Sequence, residues 1–256
     1  MLATRTGGFA IGLRRGWSEW QKDLDGLIAW CKANGIGVLD VGADAAAVRK
    51  VAAAGMTVGS ADLPAWRELI SADAGVRKDA VAKASASVAE AVAAGAKHFF
   101  CVMLPQKPEL KRAENFGYMV EGFGALAPAL EKHGADIVIE GWPGPGALCC
   151  TPEGFRAFFK EVPSKAMGVN YDPSHLVRMG IDHVRFLAEF KERVRHVHGK
   201  DTEILSETIY ELGTELPATF AEPMAFGVAA CATGAFLVTW LTLRHTAPAE
   251  AAAPAE

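Results

Sequence analysis

A short pattern recurs four times along the first half of the chain and constrains its fold more than any other feature. A helical stretch rich in small residues ends in a glycine, and an apolar segment follows. The glycines and the segments after them are Gly35 before residues 38–41, Gly55 before 57–63, Gly95 before 98–104 and Gly134 before 137–140. Because glycine readily takes the positive φ that closes the last turn of a helix, each repeat predicts a helix followed by a strand.

Further along the chain the same alternation continues. Apolar segments at residues 9–13, 167–171 and 194–198 bring the strand candidates to seven, and apolar faces on both sides are typical of a parallel sheet covered by helices. Between them lie helical spacings of three and four residues, as in Phe116, Met119, Val120, Phe123, Leu126 and Leu130. Pro128 is expected to disturb the last turn of that helix. Strands alternating with helices predict an α/β fold, either a barrel that lacks a regular eighth strand or an open doubly wound sheet.

Polar residues at three strand ends favour the barrel. Glu140, Asp172 and His198 each stand where a predicted strand ends. In a barrel the carboxyl ends of all strands meet on one face, where active sites are built, whereas an open sheet spreads them along an edge. We therefore predict a parallel (β/α)8 TIM barrel whose eighth β/α unit is missing or irregular.

The amino-acid composition of the chain changes after about residue 225. Residues 1–225 are assigned to the barrel, 226–243 to an atypical apolar segment that includes a degenerate eighth-strand candidate, and 244–256 to a disordered Ala/Pro tail. The 18 uncharged residues of 226–243 just reach the length of a membrane span. Their glycines and threonines argue against insertion, so no membrane contact is expected.

The overall charge and the cysteines narrow the class of protein. The net charge of −4 argues against a general nucleic-acid-binding surface. The five cysteines form no C-x-x-C pair, which is typical of reduced thiols in a cytosolic protein. The first residues hold no apolar core of a signal peptide, so we expect a cytoplasmic protein, and self-association into a homo-oligomer is left open.

The three strand-end residues indicate a metal site. Glu, Asp and His form a mixed oxygen and nitrogen donor set suited to one divalent ion, Mn²⁺, Mg²⁺, Co²⁺ or Zn²⁺. Such an ion can bind a sugar's carbonyl and the neighbouring hydroxyl and stabilise an enediolate, with Glu140 as a base candidate. His196 lies two residues from His198 on the same strand face. Trp142, in the loop after Glu140, can stack on a sugar, and Trp17 and Trp66 are weaker candidates.

Three segments carry a family resemblance. Residues 139–146 (IEGWPGPG), 170–176 (NYDPSHL) and 196–201 (HVHGKD) resemble motifs of the xylose isomerase-like barrel superfamily, whose members are mostly sugar or sugar phosphate isomerases and epimerases. The similarity covers roughly residues 8–225. It implies a small-molecule sugar or sugar phosphate as the substrate.

The resemblance also assigns roles to individual residues. It implies that Glu140, Asp172 and His198 are metal ligands and that His175 contacts substrate. Lys200 is a further substrate-contact candidate, and both His175 and Lys200 are catalytic candidates beside Glu140. His196 and Asp201, in the third motif, complete the set of residues expected to bind substrate.

One element of the family pattern has no match. The resemblance implies a second metal-binding Glu on an eighth strand, yet the acids after Glu222 are Glu250 and Glu256, both in the tail. A shifted reading frame or a truncated gene is one hypothesis for this difference. We expect weak metal binding and slow turnover, because one coordination position then falls to water and one proton transfer lacks its positioned group.

Several other functions share this pattern. The same enediolate can expel a β-substituent, which would make the protein a sugar-derivative dehydratase or lyase. A degenerate barrel that binds without turnover is a second alternative. A phosphodiesterase similar to apurinic-site endonucleases is disfavoured, because such a site needs a His-rich cluster for several zinc ions, whereas this chain has seven histidines and an acidic net charge.

Overall fold

The structure, a computed structural model, describes residues 10–200, 202, 204–207 and 210. Its strands are β1 (Gly12–Arg14), β2 (Val38–Val41), β3 (Thr57–Asp62), β4 (His98–Val102), β5 (Asp136–Glu140), β6 (Met167–Tyr171) and β7 (Val194–Val197). Its helices are α1 (Glu19–Lys22), α2 (Leu24–Ala33), α3 (Ala45–Ala53), α4 (Ala74–Ala94), α5 (Arg112–His133), α6 (Pro152–Glu161), α7 (Pro173–Arg178) and α8 (His183–Phe190). Short 3₁₀ turns lie at Glu68–Ile70 and Lys191–Arg193.

The order of the strands confirms the predicted barrel fold. The described strands form one sheet in the order β1 to β7, and the pairs from β1–β2 through β5–β6 are parallel. A doubly wound sheet would reverse its strand order at a switch point, and this sheet keeps the chain order. The candidate eighth strand within residues 226–243 lies outside the described residues, as does the tail.

The glycine repeats fold as the pattern predicts. Gly35, Gly55, Gly95 and Gly134 have φ angles of 73°, 75°, 116° and 63°. Gly95 and Gly134 are the left-handed residues that end α4 and α5, where an L side chain would be strained. The two glycines in the sequence therefore predicted correctly where α4 and α5 end.

The observed boundaries differ slightly from the predicted ones. The first strand begins at Gly12, and β7 ends at Val197, so His198 follows the strand. The expected disturbance at Pro128 is absent, because α5 continues to His133. Pro128 is exposed, so the helix carbonyl that loses its donor lies on the solvent side.

The chain divides into two compact units. Of the described residues, the first comprises 10–170 together with Phe190–His196, and the second comprises Tyr171–Glu189 and those from Val197 onward. The fully buried side chains of the first unit include Phe99, Phe123, Phe155 and Phe158. In the second unit the ring of Tyr171 stacks on that of Phe186 at 6.4 Å between centroids. No helix in the described part of the chain is long and apolar enough to cross a bilayer.

Candidate active site

The three predicted metal ligands stand at successive strand ends. Glu140 is the last residue of β5, Asp172 directly follows β6, and His198 directly follows β7. Glu140 belongs to the first unit, and Asp172 and His198 belong to the second. Glu140 and Asp172 are 7% and 4% exposed, and a buried carboxylate needs partners that compensate its charge.

In the first unit, Glu140 is part of a network of hydrogen bonds. The Asn170 amide donates from Nδ2 to Glu140 Oε2 at 2.8 Å. The Asn170 Oδ1 lies 2.9 Å from His196 Nδ1, and His196 Nε2 lies 3.1 Å from Asp40 Oδ1. Three strands, β5, β6 and β7, thus connect through side chains to Asp40 on β2.

An irregularity between β2 and β3 makes room for Asp40. Leu39 pairs with Val58 but Val41 pairs with Ala61, so β3 carries one extra residue opposite Asp40, as in a β-bulge. The Ser60 N–H that this bulge releases donates to Asp40 Oδ1 at 2.8 Å. A Cβ on Gly59 would lie 2.3 Å from Asp40 Oδ1 and 3.2 Å from His196 Nε2. Only glycine at position 59 therefore lets the side chains of Asp40 and His196 lie this close to β3.

In the second unit, the two carboxylate oxygens of Asp172 have different partners. It is the N-cap of α7, and its Oδ1 accepts from the Ser174 N–H at 3.0 Å and from the Ser174 hydroxyl at 2.5 Å. Its Oδ2 contacts Lys200 Nζ and lies 3.4 Å from His175 Nε2. One oxygen therefore starts the helix, while the other faces the two residues that the sequence predicts to bind substrate.

His175 and Lys200 lie close together around that oxygen. Lys200 Nζ is 3.3 Å from His175 Nε2, and His175 is 8% exposed. The second unit thus brings Asp172, His175 and Lys200 together. An ammonium beside a carboxylate and an imidazole can donate a hydrogen bond to a substrate oxygen.

The backbone of the second unit orients His198. The His198 N–H donates to the Tyr171 carbonyl at 3.0 Å, and its side chain is half-buried. The Tyr171 hydroxyl donates to the His183 carbonyl at 3.2 Å. Burial, with a further effect from Asp172 and Asp182, raises the pKa of Tyr171, so this phenol stays protonated.

The aromatic candidates differ in exposure. Trp142 is 36% exposed, and its ring covers Gly144, where a Cβ would lie 2.1 Å from it. Trp17 is 90% exposed, and Trp66 is under the Arg67 guanidinium at 4.8 Å. Of the three, Trp142 alone lies in the loop that follows a predicted ligand. Asp201 and Glu222 lie outside the described residues.

Sequence reasoning missed two members of the first-unit network, Asp40 and Asn170. Asp40 is 5% exposed and Asn170 is 1% exposed. The available signal was a polar residue inside an otherwise apolar strand, since a buried polar side chain requires a partner. That signal marks the residue without identifying its partner.

A third missed group lies at the carboxyl ends of β1 and β3. The Arg14 guanidinium donates to Asp62 Oδ1 at 2.7 Å and lies 4.3 Å above the Phe100 ring. Among the described residues its buried Nη1 has no hydrogen-bond partner. Arg14 therefore retains a donor at the end of the strands that carries the other candidates.

The cysteines contribute no nucleophile in the described part of the chain. Cys31, Cys101, Cys149 and Cys150 are free and buried. Burial raises the pKa of the Cys31 thiol to about 11 and raises the pKa of Cys101 and Cys149 well above the usual range. Protonated thiols are poor nucleophiles and poor metal ligands, so the chemistry of this site rests on oxygen and nitrogen.

Several of the candidate residues have donor atoms that suit a divalent ion. The described residues include carboxylate and imidazole groups able to bind a metal, Glu140, Asp40 and His196 in the first unit and Asp172 and His198 in the second. Carboxylate and imidazole donors suit Mn²⁺, Mg²⁺, Co²⁺ and Zn²⁺. Asn170 donates a hydrogen bond to the Glu140 carboxylate, and carboxylates that bind metals commonly accept such orienting hydrogen bonds.

Comparison with known proteins adds a family assignment. The sequence profile described as Xylose isomerase-like TIM barrel matches residues 19–219. An inosose dehydratase from Geobacillus thermodenitrificans (strain NG80-2) is 32% identical over 91 residues, a match that covers 36% of this chain and 30% of that protein. The curated relative is therefore matched over less than a third of its length.

Solved structures of sugar epimerases share the fold. D-psicose 3-epimerase from Clostridium cellulolyticum H10, solved with D-tagatose, superposes with a TM-score of 0.62 at 16% identity, covering 77% of this chain and 76% of that one. L-ribulose 3-epimerase superposes with a TM-score of 0.64 at 18% identity, covering 77% and 73%. Identity at this level shows a common fold and leaves the substrate to be argued from the site.

Proposed function

Because the chain belongs to the xylose isomerase-like TIM barrel family, we propose that it is a sugar isomerase or epimerase that uses one divalent metal ion. Glu140, Asp172 and His198 bind the ion in this proposal. The observation that carries it is their position, at the ends of three successive strands of one sheet. Active sites of such barrels are built at the carboxyl ends of the strands.

The residues divide the chemistry between them. A bound divalent ion would polarise the sugar's carbonyl and neighbouring hydroxyl and stabilise the enediolate formed when a carbon-bound proton leaves. Glu140 takes that proton, because a buried carboxylate oriented by an amide is suited to general-base work. Asn170, which donates to Oε2, fixes the orientation of the carboxylate plane.

The second-unit cluster handles the substrate's oxygens. Lys200 and His175, 3.3 Å apart through Nζ and Nε2, donate hydrogen bonds to the oxygens on which negative charge develops. Trp142 covers the apolar face of the sugar, and Asp201 remains a predicted substrate contact. The similarity to D-psicose and L-ribulose 3-epimerases supports a ketose as the substrate class.

Metal titration together with a panel of ketoses tests this proposal. We expect Mn²⁺-dependent conversion of at least one ketose to an isomer, and loss of conversion in Glu140→Gln. Glu90→Gln is the matched control, because Glu90 is exposed on α4 and should leave conversion unchanged. Conversion that persists in Glu140→Gln, or that needs no added metal after chelation, contradicts the proposal.

A second candidate function is dehydration of a sugar derivative. The local similarity to inosose dehydratase favours it, and the same enediolate can expel a β-hydroxyl as water. Mass spectrometry of the product separates the two functions. Isomerisation leaves the mass of the sugar unchanged, whereas dehydration lowers it by one water.

A further inference from the structure

We propose that Asp40, His196 and Asn170 form a positioning relay that holds the carboxylate of Glu140 in the orientation required for metal binding. The relay deepens the proposed function and rests on it, because it assumes that Glu140 is a metal ligand. None of the three residues touches the reacting sugar in this proposal, so they are positioning residues. The role differs from the substrate contact that sequence predicts for His196.

The donor and acceptor roles around Asn170 follow from the chemistry of its two neighbours. An ionised Glu140 carboxylate can only accept, so Asn170 must direct its Nδ2 hydrogens to Oε2, at 2.8 Å. Its Oδ1 then faces His196 and can only accept, so Nδ1 of His196, 2.9 Å away, carries a hydrogen. The orientation of the amide is therefore determined by the groups at its two ends.

Asp40 anchors the far end of the relay. His196 Nε2 lies 3.1 Å from Asp40 Oδ1, which is within hydrogen-bond distance. The same Oδ1 accepts from the Ser60 N–H at 2.8 Å, a backbone group that the bulge in β3 directs at it. The Ser60 N–H is part of the backbone and cannot rotate away as a side-chain donor can. It therefore holds the Asp40 carboxylate in place, and Asp40 in turn holds the imidazole ring of His196.

Burial makes the relay selective for one arrangement. Asn170 and Asp40 are 1% and 5% exposed, and Glu140 is 7% exposed, so water does not readily replace a lost partner. A buried hydrogen-bond network in which all groups are paired favours a single geometry. Hydrogen bonds to the ligands of a metal site act in this way, and their removal typically costs about 10–100-fold in metal affinity or activity.

Two substitutions at His196 separate the halves of the relay. The Asn side chain places an amide nitrogen near the position of imidazole Nδ1, so His196→Asn retains a donor to Asn170. The Gln side chain reaches the position of Nε2, so His196→Gln retains the contact with Asp40 and loses the donor. We expect His196→Gln to weaken Mn²⁺ binding by about 10–100-fold, and His196→Asn to recover most of that loss.

The measurement is the Mn²⁺ dissociation constant of the full chain, with kcat and KM for a converted ketose beside it. His98→Gln is the matched control. His98 Nδ1 pairs with Asp136 Oδ1 at 2.6 Å, and Asp136 begins β5, at the opposite end from Glu140. That variant loses a comparable contact and should keep the wild-type Mn²⁺ affinity. Asn170→Ser, whose hydroxyl cannot span both neighbours, should reproduce the loss seen in His196→Gln.

The outcomes distinguish this inference from the proposed function. Equal Mn²⁺ affinity in the wild type, His196→Gln and Asn170→Ser overturns the relay alone. A rise in KM for the sugar with unchanged Mn²⁺ affinity also overturns it and assigns His196 to the substrate. A wild-type chain that binds no Mn²⁺ refutes the proposed function, and the relay with it.

Discussion

Replacing Lys200 with methionine tests the electrostatics of the second-unit cluster. Lys200 Nζ contacts Asp172 Oδ2, and the two side chains are 29% and 1% exposed. Methionine keeps most of the side-chain volume and removes the charge. The buried Asp172 carboxylate then loses its ammonium partner and keeps the Ser174 N–H and hydroxyl as donors.

The size of the effect follows from this burial. Removing one partner of a fully buried pair costs about 3–5 kcal/mol, and exposed pairs contribute about 0–1 kcal/mol. A pair with one buried and one partly exposed member should lie between, at about 2 kcal/mol. For a chain of this size, this loss lowers the melting temperature of the metal-free protein by about 4–8 °C.

The same substitution should strengthen Mn²⁺ binding, although it lowers the stability of the metal-free protein. In the wild type a cation at Asp172 must share Oδ2 with the Lys200 ammonium, and like charges repel. Without Lys200 the ion alone compensates the carboxylate, so we expect the Mn²⁺ dissociation constant to fall about tenfold, which corresponds to about 1.4 kcal/mol. Calorimetric titration and thermal unfolding with and without Mn²⁺ measure both effects.

Lys50→Met is the matched control for this experiment. The Lys50–Asp25 pair has 2.7 Å between Nζ and Oδ2, and its side chains are 47% and 74% exposed. Neither stability nor Mn²⁺ affinity should change measurably in this variant. If Lys200→Met is as stable as the wild type and binds Mn²⁺ no more tightly, the idea that Lys200 compensates a buried ligand is wrong.

Three further predictions concern packing, capping and thiol reactivity. Gly122→Ala should lower the stability of the protein by about 1–3 kcal/mol, because the new Cβ would lie 2.1 Å from the Leu69 carbonyl oxygen. Gly117→Ala, on the same helix, places its Cβ where nothing lies within 4 Å and should stabilise the protein. Thermal unfolding compares the two variants, and equal stabilities would contradict the packing. Asp73→Ala should lower the free energy of unfolding in denaturant by about 1 kcal/mol, because Asp73 Oδ1 caps α4 by accepting from the Gly75 and Val76 N–H groups. Ser18→Ala removes no capping bond and should lower it less. Iodoacetamide at neutral pH should label Cys101 and Cys149 only after unfolding, because burial raises the pKa of both thiols; peptide mapping that finds either one labelled in the native protein would refute this.

The fold could be predicted because its signals are local. The glycine at each helix end and the apolar segment after it lie within a few residues of each other, and φ preference links them directly. Glu140 is recognisable for the same reason, since a carboxylate ends an apolar strand and Gly141 and Pro143 follow it. Pro128 shows the limit of such rules, because its effect on α5 depends on which face it occupies.

The connections between site residues could not be predicted in the same way. His196 and Asp40 are 156 positions apart, and Asn170 and Glu140 are 30 apart. Their contacts depend on how the strands pair and on the extra residue that β3 carries opposite Asp40. No periodicity in the sequence reports that register shift, so the relay emerges only from the three-dimensional structure.

Solvent hydrogen exchange tests the central claim most directly. A ketose incubated in D₂O with the Mn²⁺-loaded chain should gain deuterium at a carbon next to its carbonyl, because the proposed reaction removes and returns that proton. Exchange should stop on chelation and fall to background in Glu140→Gln, whose fold is checked by thermal unfolding. Deuterium gain that survives both chelation and the Glu140→Gln substitution would contradict a metal-dependent proton transfer at this carboxylate.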